Sequence, residues 1–298
     1  SRIRKEECTC DIADENLNLT CSQSSGVISA FPVYELEQLR SGRDTGVSFQ
    51  YFDFIKIVNK YIITIEPVSL SSLNPKRLDV SNNKIEYLEN GTFLGLARLI
   101  TLNLAWNQLK VLKSETFMGL TNLEILDVSR NQLIDIEVGA FSGLPSLKNT
   151  ILAYNNLANL NVSLFVGPSL DLGFNNIELL RTKIYKGLKV LSLVYNKLTF
   201  LPEDIVELTE LEGLYLRGNQ LEKIDPLIFN LKNLKEIDFG ANLMKTVPNF
   251  RNMSQLTLLI LMWNFIERVE NDTFSALKNL SVLTLQDNRI TKFDSGLF

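Results

Sequence analysis

Hydrophobic positions recur in one short pattern along most of this chain of 298 residues. A representative copy is Leu102-Asn-Leu104-Ala-Trp-Asn107-Gln-Leu109, or L-x-L-x-x-N-x-L. In an extended strand the first two leucines lie on one side and the residue between them on the other, so the pattern predicts a short strand with one buried face. The asparagine recurs at positions 83, 107, 131, 155, 175, 196, 219, 242, 264 and 288, and a degenerate copy with Lys60 in its place precedes them.

The spacing of these copies predicts how they assemble. Successive copies lie 20 to 24 residues apart, and none can bury its apolar side alone, so the strands are expected to stack into the parallel sheet of a solenoid. The asparagine amide both donates and accepts hydrogen bonds, and we expect it to satisfy backbone groups of adjacent turns. Aromatic residues ten positions after the asparagine are expected to fill the space behind the sheet. They are Phe93, Phe117, Phe141, Phe165, Tyr185, Phe229, Phe274 and Phe298.

This pattern at this period is that of the leucine-rich repeat, and residues 55–298 resemble extracellular leucine-rich repeat proteins. The resemblance implies an α/β solenoid, a horseshoe with a parallel β-sheet on its concave face and loops or short helical turns on its convex face. We divide the chain into an amino-terminal cysteine cap with a degenerate first turn, residues 1–54, and about eleven repeats, residues 55–298. The last copy stops in mid-repeat at Phe298 before any carboxy-terminal cap, so we expect the natural protein to continue past this residue.

The three cysteines, Cys8, Cys10 and Cys21, all lie near the amino terminus. Because the chain has only three thiols and no histidine, a disulfide is favoured over a zinc site. Their spacing resembles the last three of the four cysteines in the family's amino-terminal cap, and that resemblance implies a Cys8–Cys21 disulfide. Cys10 is left unassigned: it pairs with a residue upstream, with another chain, or with nothing.

Six sequons for N-glycosylation occur, slightly more than chance gives. Asn90 and Asn271 lie three residues before a phenylalanine of the convex side, in loops where a glycan can be accommodated. With the cap cysteines, they favour a secreted protein or the extracellular side of the cell surface, where disulfides persist. The chain opens on a polar segment and not on a signal peptide, so its first residue is either a processed or a trimmed start. The six sequon asparagines are Asn18, Asn90, Asn161, Asn252, Asn271 and Asn279.

Composition and motifs argue against catalysis and against several kinds of partner. Without histidine, no triad or dyad built on imidazole can form, and no glycine-rich phosphate loop is present. We therefore predict no enzyme, no metal and no cofactor. The net charge of −4 disfavours nucleic acid and anionic membranes, and no apolar stretch is long enough to span a bilayer. Four aspartates in the middle of the strand pattern are expected to form a solvated acidic column. They are Asp79, Asp127, Asp171 and Asp238.

Recognition is then expected to come from the concave face. Side chains between the paired leucines, and the two before the asparagine, point outward in the predicted strands, and many are aromatic or arginine, the types favoured at binding hot spots. In the stretch 256–263, Leu258, Ile260, Met262 and Trp263 should form one outward apolar group, which is unusual on a monomer. We expect it to contact either another protein or a carboxy-terminal continuation of the chain that folds back over it. The predicted ligand-binding residues are Trp106, Arg130, Ile151, Tyr154, Phe174, Tyr195, Tyr215, Arg217, Ile260, Met262 and Trp263.

The resemblance also suggests a setting for this face. Repeats of 24 residues with a phenylalanine at the back resemble those of Toll-like receptor ectodomains and related adhesion proteins, and segment 164–170 is similar to one in mosquito leucine-rich immune factors. This implies a receptor, innate-immune or adhesion module that binds a protein ligand or co-receptor, with a homo- or heterodimer implied by the immune factors. The alternative is an intracellular scaffold or regulatory subunit built from the same repeats.

Overall fold

The computed structural model describes residues 2–5, 8–13, 18–22, 52–67, 70–161, 165–181, 187–250 and 253–293, with the backbone alone described in the first three ranges and at 161 and 181. Phe298, Tyr185 and Asn252 therefore lie outside the described residues. The chain forms two compact units, residues 1–155 and residues 156–298, which we describe separately.

The first unit is a stack of short strands. From the fourth strand onward each pairs in parallel with the strand of the next repeat, and equivalent positions of the pattern lie opposite each other, as in Leu78, Leu102 and Leu126. Two further short strands pair with each other behind this sheet, Val111–Leu112 and Asp135–Ile136. In chain order the strands of the sheet are Arg2–Lys5, Cys8–Ala13, Asn18–Ser22, Phe54–Ile57, Arg77–Asp79, Thr101–Asn103, Ile125–Asp127 and Asn149–Ile151.

The first three strands pair with each other in antiparallel fashion, unlike the rest of the sheet. Arg2–Lys5 and Cys8–Ala13 are antiparallel, and so are Cys8–Ala13 and Asn18–Ser22, while Asn18–Ser22 pairs in parallel with Phe54–Ile57. An amino-terminal hairpin therefore covers the edge of the first parallel strand, which would otherwise expose unpaired backbone groups. This arrangement suits the cap that the sequence predicts for residues 1–54.

The second unit continues the same pattern of one strand per repeat. A pair of short strands, Asn159–Asn161 and Leu179–Arg181, lies beside the sheet. Two 3₁₀-helices, Glu203–Glu207 and Pro226–Asn230, form part of the return segments. The second begins after Asp225, whose carboxylate accepts the Leu227 backbone N–H at 2.9 Å. The parallel strands of the sheet are Ser169–Asp171, Val190–Ser192, Gly213–Tyr215, Glu236–Asp238, Leu258–Ile260 and Val282–Thr284.

The repeated asparagine bonds to the backbone of two turns, as the sequence predicts, and it is buried in every repeat but the last, where Asn288 is half-buried. In Asn107, the side-chain oxygen accepts the Ile85 backbone N–H at 3.0 Å, and the amide nitrogen donates to the carbonyls of Val80 and Leu104 at 3.1 and 2.9 Å. Each such residue therefore ties its own turn to the preceding one. The same arrangement recurs in both units, from Asn83 to Asn288.

Phenylalanines fill the space behind the strands, again as predicted. In the first unit Phe93, Phe117 and Phe141 are buried and stacked, with ring centroids 6.0 Å apart in each pair. In the second unit the corresponding row contains Phe250, which lies 5.3 Å from Phe229 and 6.4 Å from Phe274. The sequence analysis missed Phe250 because it follows its asparagine by eight residues and not ten. Leucine-rich repeats are thus confirmed as the fold class, with parallel strands, irregular return segments and little helix.

Candidate functional site

We call the residue immediately before each repeated asparagine, and before Lys60 in the degenerate copy, the rung residue, and it adopts a left-handed backbone conformation. All eleven rung residues have φ between 50° and 72°. Glycine and asparagine adopt this conformation most readily, yet most of these positions carry larger side chains. The rung residues are Asn59, Asn82, Trp106, Arg130, Tyr154, Phe174, Tyr195, Gly218, Ala241, Trp263 and Asp287.

Hydrogen bonds hold the rung residues in place. The Trp106 backbone N–H donates to the Ser129 carbonyl at 3.0 Å, and the Arg130 N–H donates to the Ala153 carbonyl at 2.9 Å. The backbone hydrogen bonds between neighbouring strands thus continue beyond the strands into the turn. Because the backbone direction is fixed, each rung side chain projects from the outer face, meaning the side of the strands turned away from the core. Trp106 is 55% exposed and Trp263 is 47% exposed.

The aspartates in the middle of the strands do not form the solvated column that the sequence analysis expected. Each accepts the backbone N–H two residues later, at distances from 2.8 to 3.0 Å, as in the bond from Ser129 to Asp127. These side chains are half-buried or buried. Each bond shapes the turn that leads to the rung residue. Asn103 makes the same bond in its repeat.

In the first unit three rung residues form one cluster. The Arg130 guanidinium carbon lies 4.4 Å from the centre of the Trp106 ring and 3.9 Å from the centre of the Tyr154 ring. Arg130 is therefore held between two aromatic faces from the neighbouring repeats, a cation–π arrangement on each side. We call these three residues the arginine sandwich. Ile151, also predicted to bind, is half-buried on the outer side of its strand in the same unit.

In the second unit Phe174 and Tyr195 stack on each other. Their ring centroids are 4.6 Å apart and the planes meet at 22°. The Tyr195 ring also lies directly over Gly218, where a Cβ atom would come within 2.5 Å of the ring. Gly218 thus combines a left-handed φ of +72° with a close approach that no other residue allows.

The predicted apolar group at 256–263 is partly covered, which corrects the expectation of four exposed side chains. Leu258, Ile260 and Met262 are half-buried, and only Trp263 is well exposed. The Arg217 guanidinium carbon lies 4.5 Å from the centre of the Trp263 ring, and a guanidinium nitrogen lies 3.7 Å from the Met262 sulfur.

Arg217 reaches across an entire repeat to make these contacts. In the repeat between Arg217 and Trp263, the equivalent positions are Gly240 and Ala241. They leave room for the arginine because glycine has no side chain and alanine has only a methyl group. On the other side of the tryptophan, its indole N–H donates to the Asp287 carboxylate at 2.6 Å. Trp263 is therefore contacted by an arginine and by a carboxylate, which fix the orientation of its ring on the outer face.

Polar groups on the outer face of the second unit have shifted pKa values. Tyr215 donates a hydrogen bond to Glu236, and burial, followed by this bond, raises the pKa of Tyr215 to about 12. Burial also raises the pKa of Asp238, against the opposing effects of the Gly240 N–H and the Arg217 charge. Sequence reasoning missed Glu236, although as the strand residue before Ile237 it is a diagonal neighbour of Tyr215 in the sheet register.

Among the described residues, no three histidine, cysteine, aspartate or glutamate side chains are grouped so that they could hold a metal ion. Over the same ranges, no helix has the length and apolar character needed to cross a membrane.

Of the predicted glycosylation sites, Asn90, Asn271 and Asn279 are exposed. In the first two sequons the threonine hydroxyl bonds back to the carbonyl three residues earlier, Thr92 to Glu89 and Thr273 to Glu270. The backbone register places Cys10 directly opposite Cys21 in the amino-terminal hairpin. Of Asn18 and Asn161 only the backbone is described, within the strands Asn18–Ser22 and Asn159–Asn161.

Comparison with known proteins identifies relatives of different kinds. Residues of this chain are 39% identical to the volume-regulated anion channel subunit LRRC8A of Rattus norvegicus over 97 residues, which is 32% of this chain and 12% of that subunit. The TLR13 chain in its complex with ssRNA13 superposes with a TM-score of 0.78 and 26% identity, over 92% of this chain and 40% of TLR13. The leucine-rich repeat domain of APL1B gives a TM-score of 0.74 at 21% identity, over 92% of this chain and 77% of that domain.

A family profile described as leucine rich repeat covers most of the chain. Its matches overlap and together extend from residue 74 to residue 298, the region in which the structure shows one strand and one buried asparagine per repeat. The matched segments are 74–133, 98–157, 121–177, 168–221, 209–266 and 254–298. The chain therefore belongs to the leucine-rich repeat family, whose stacked units provide extended binding surfaces.

Proposed function

We propose that this chain is an extracellular recognition module, of receptor, immune or adhesion type, that binds a protein ligand through the outer face of its strands. The observation that carries the proposal is the set of large side chains at left-handed rung positions. Aromatic residues and arginine dominate the energetics of protein interfaces. The module acts by binding and carries out no catalysis.

The energetic cost of a left-handed backbone at the rung residues supports a role in binding. A non-glycine residue in the left-handed region is strained by about 1 kcal/mol or more, and such strain is commonly kept at functional sites. Asn59 and Asn82 show that the repeat accepts asparagine here, at lower cost. Tryptophan at 106 and 263 brings no comparable benefit to the core, because about half of each side chain is exposed.

Charge favours a protein over a nucleic acid as the ligand. The TLR13 structure is a complex with single-stranded RNA, and polyanion binding of that kind depends on many cationic contacts with phosphates. This chain has a net charge of −4, and the outer face of its first unit carries Asp79 and Asp127. A ligand that combines apolar and polar groups suits this surface better than a polyanion.

Modification sites support the extracellular setting over the intracellular scaffold. Asn90 and Asn271 are exposed in turns of the return segments. The threonine hydroxyls of both sequons bond within their own turns, so the threonines by themselves do not indicate glycosylation. The support for the extracellular setting comes from the exposed asparagines. A disulfide in the cap, with the remaining cysteine linked to a second chain, fits the same setting.

Site-directed photo-crosslinking tests the proposal. A benzoylphenylalanine is placed at Tyr154 on the outer face or, as a matched control, at Val138, which is 79% exposed outside the strands. After illumination in native extracellular fluid, we expect a discrete crosslinked protein from position 154 and none from position 138. Products from Val138 alone would contradict the proposal, as would products from neither position.

A further inference from the structure

Arg130 has no carboxylate partner among the described residues, and of the cations described it is the one that lies between two aromatic rings, those of the arginine sandwich. Several other cations do pair with carboxylates: Lys148 pairs with Glu124 at 2.8 Å, Lys76 pairs with Asp53 at 3.2 Å, and Lys235 pairs with Glu212 at 2.6 Å. Within the described part of the chain, the guanidinium of Arg130 is therefore contacted by ring faces and makes no ion pair.

The geometry of the sandwich leaves the hydrogen-bonding edge of Arg130 available to a ligand. Stacking uses the two faces of the planar guanidinium, whereas its N–H donors point outward within the plane. A carboxylate approaching this edge can accept two parallel N–H bonds. Because the rings at 4.4 and 3.9 Å hold the side chain in one orientation, little rotamer freedom is lost on binding.

The surroundings favour carboxylates on flexible side chains over phosphates held in a chain. Asp127 lies on the strand that leads to Arg130, and Asp79 lies on the same face of the unit. Successive phosphates of a nucleic-acid backbone would be held along these negative charges, whereas the side chains of an acidic peptide can rotate, so that one or two carboxylates reach the guanidinium between the exposed rings and the others turn away. The aromatic rings flanking the arginine would contact the apolar part of an aspartate or glutamate side chain and its neighbours.

We propose that Arg130 is the anchor for a carboxylate of the protein ligand, so that the ligand presents an acidic segment to the arginine sandwich. This inference rests on the proposed function and specifies the chemistry of the partner. The same edge would accept a phosphate, and the experiment distinguishes the two.

Fluorescence of Trp106 reports binding at this position. In the Trp263→Phe protein Trp106 is the only tryptophan, and it is titrated at low salt with hexaglutamate, hexaglutamine and hexauridylate. We expect a saturable change with hexaglutamate, none with hexaglutamine, and weaker binding of hexauridylate. Arg130→Gln should weaken hexaglutamate binding roughly tenfold, the loss expected for one charge-assisted pair. Lys148→Gln, which removes a cation that already has a carboxylate partner, should leave the binding unchanged.

Arg130→Lys keeps the charge and removes the planar fork, and it tests the geometry should Arg130→Gln fail to fold. Binding between that of the arginine and glutamine proteins is expected, and binding equal to that of arginine would overturn the bidentate assignment. Tighter binding of hexauridylate through Arg130 would assign the edge to phosphate instead. No response to hexaglutamate at about 1 mM, with crosslinking from position 154 intact, would remove the carboxylate anchor and leave the proposed function standing.

Discussion

The rung residues combine a left-handed backbone with side chains that ordinarily avoid it. Their φ values follow from the repeat, because the turn places each rung N–H on the carbonyl of the next repeat. The side chains do not follow from the repeat, since Asn59, Asn82 and Gly218 occupy the same position. The fold therefore requires the repeated asparagine, whereas the rung residue directly before it determines which side chain the surface presents.

Replacing a repeated asparagine tests its role in the stability of the fold. Asn131→Ala removes the acceptor of the Leu109 N–H and the donor to the Leu104 and Val128 carbonyls, bonds of 3.0, 3.0 and 3.1 Å. Stranding these buried groups should cost about 3 kcal/mol or more, measured by urea unfolding. Asn122→Ala, which loses one exposed bond to a carbonyl, should cost less than about 1 kcal/mol. Equal costs for the two variants would contradict the account.

The buried carboxyl of Asp238 should make stability depend on pH. Burial raises its pKa, so the folded state holds this proton more tightly than the unfolded chain does. Its contribution is fully present below the ordinary pKa of aspartate and is lost as pH rises through the raised value. In unfolding measurements between about pH 3 and about pH 7, Asp238→Asn should lack this decline while keeping an oxygen for the Gly240 N–H. Identical pH slopes in the two proteins would show that Asp238 is not the cause.

At the scale of the elements, each repeat depends on its neighbours more than on its own strand. Strands of two to four residues are too short to be stable alone, and the stacked phenylalanines behind them join successive repeats. The period and the paired leucines predicted this arrangement, because burial of one strand face leaves a simple alternation in the sequence. The contacts of Arg217 were not predictable in this way, because they depend on a missing side chain in the repeat between it and Trp263.

We expect the stacked phenylalanines behind the strands to stabilise neighbouring repeats jointly. Phe117 lies between Phe93 and Phe141, with both neighbouring rings 6.0 Å away, so Phe117→Ala should cost about 3–5 kcal/mol. Met118→Ala, at a side chain that is half exposed on the same segment, should change stability by less than about 1 kcal/mol. Thermal and urea unfolding measure both variants, and a small effect at Phe117 would mean that the row does not support the stack.

At the scale of the whole molecule, each of the two units is a stack of leucine-rich repeats whose strands have an outer face lined by the rung residues. The resemblance of the sequence to extracellular repeats predicted the fold class and the outer face. It could not predict the partly covered apolar group, because Arg217 reaches Met262 and Trp263 from another repeat. Nor could it predict that the aspartates bond locally to the backbone N–H two residues later, because the alternation of the strand gives only the side that a residue faces. The cap disulfide stays a prediction, and the register adds Cys10–Cys21 as a second pairing to the implied Cys8–Cys21.

Mass spectrometry of native material tests the extracellular setting. We expect glycan at Asn90 and Asn271, which are exposed, and one disulfide that includes Cys21. Peptides linked through Cys8 or through Cys10 distinguish the two pairings. Unmodified asparagines together with three reduced thiols would favour the intracellular scaffold.

The most direct test of the central claim compares stability with binding in one pair of variants. Trp106→Asn/Trp263→Asn places at both rungs a residue that the chain already uses there, and Leu104→Ala/Leu261→Ala changes the core residues two positions earlier. We predict that the asparagine variant unfolds within about 2 kcal/mol of the unaltered protein and binds the crosslinked ligand at least about tenfold more weakly. The core variant should lose more than about 4 kcal/mol. An asparagine variant that binds the ligand with unchanged affinity, or that unfolds as readily as the core variant, would contradict the claim.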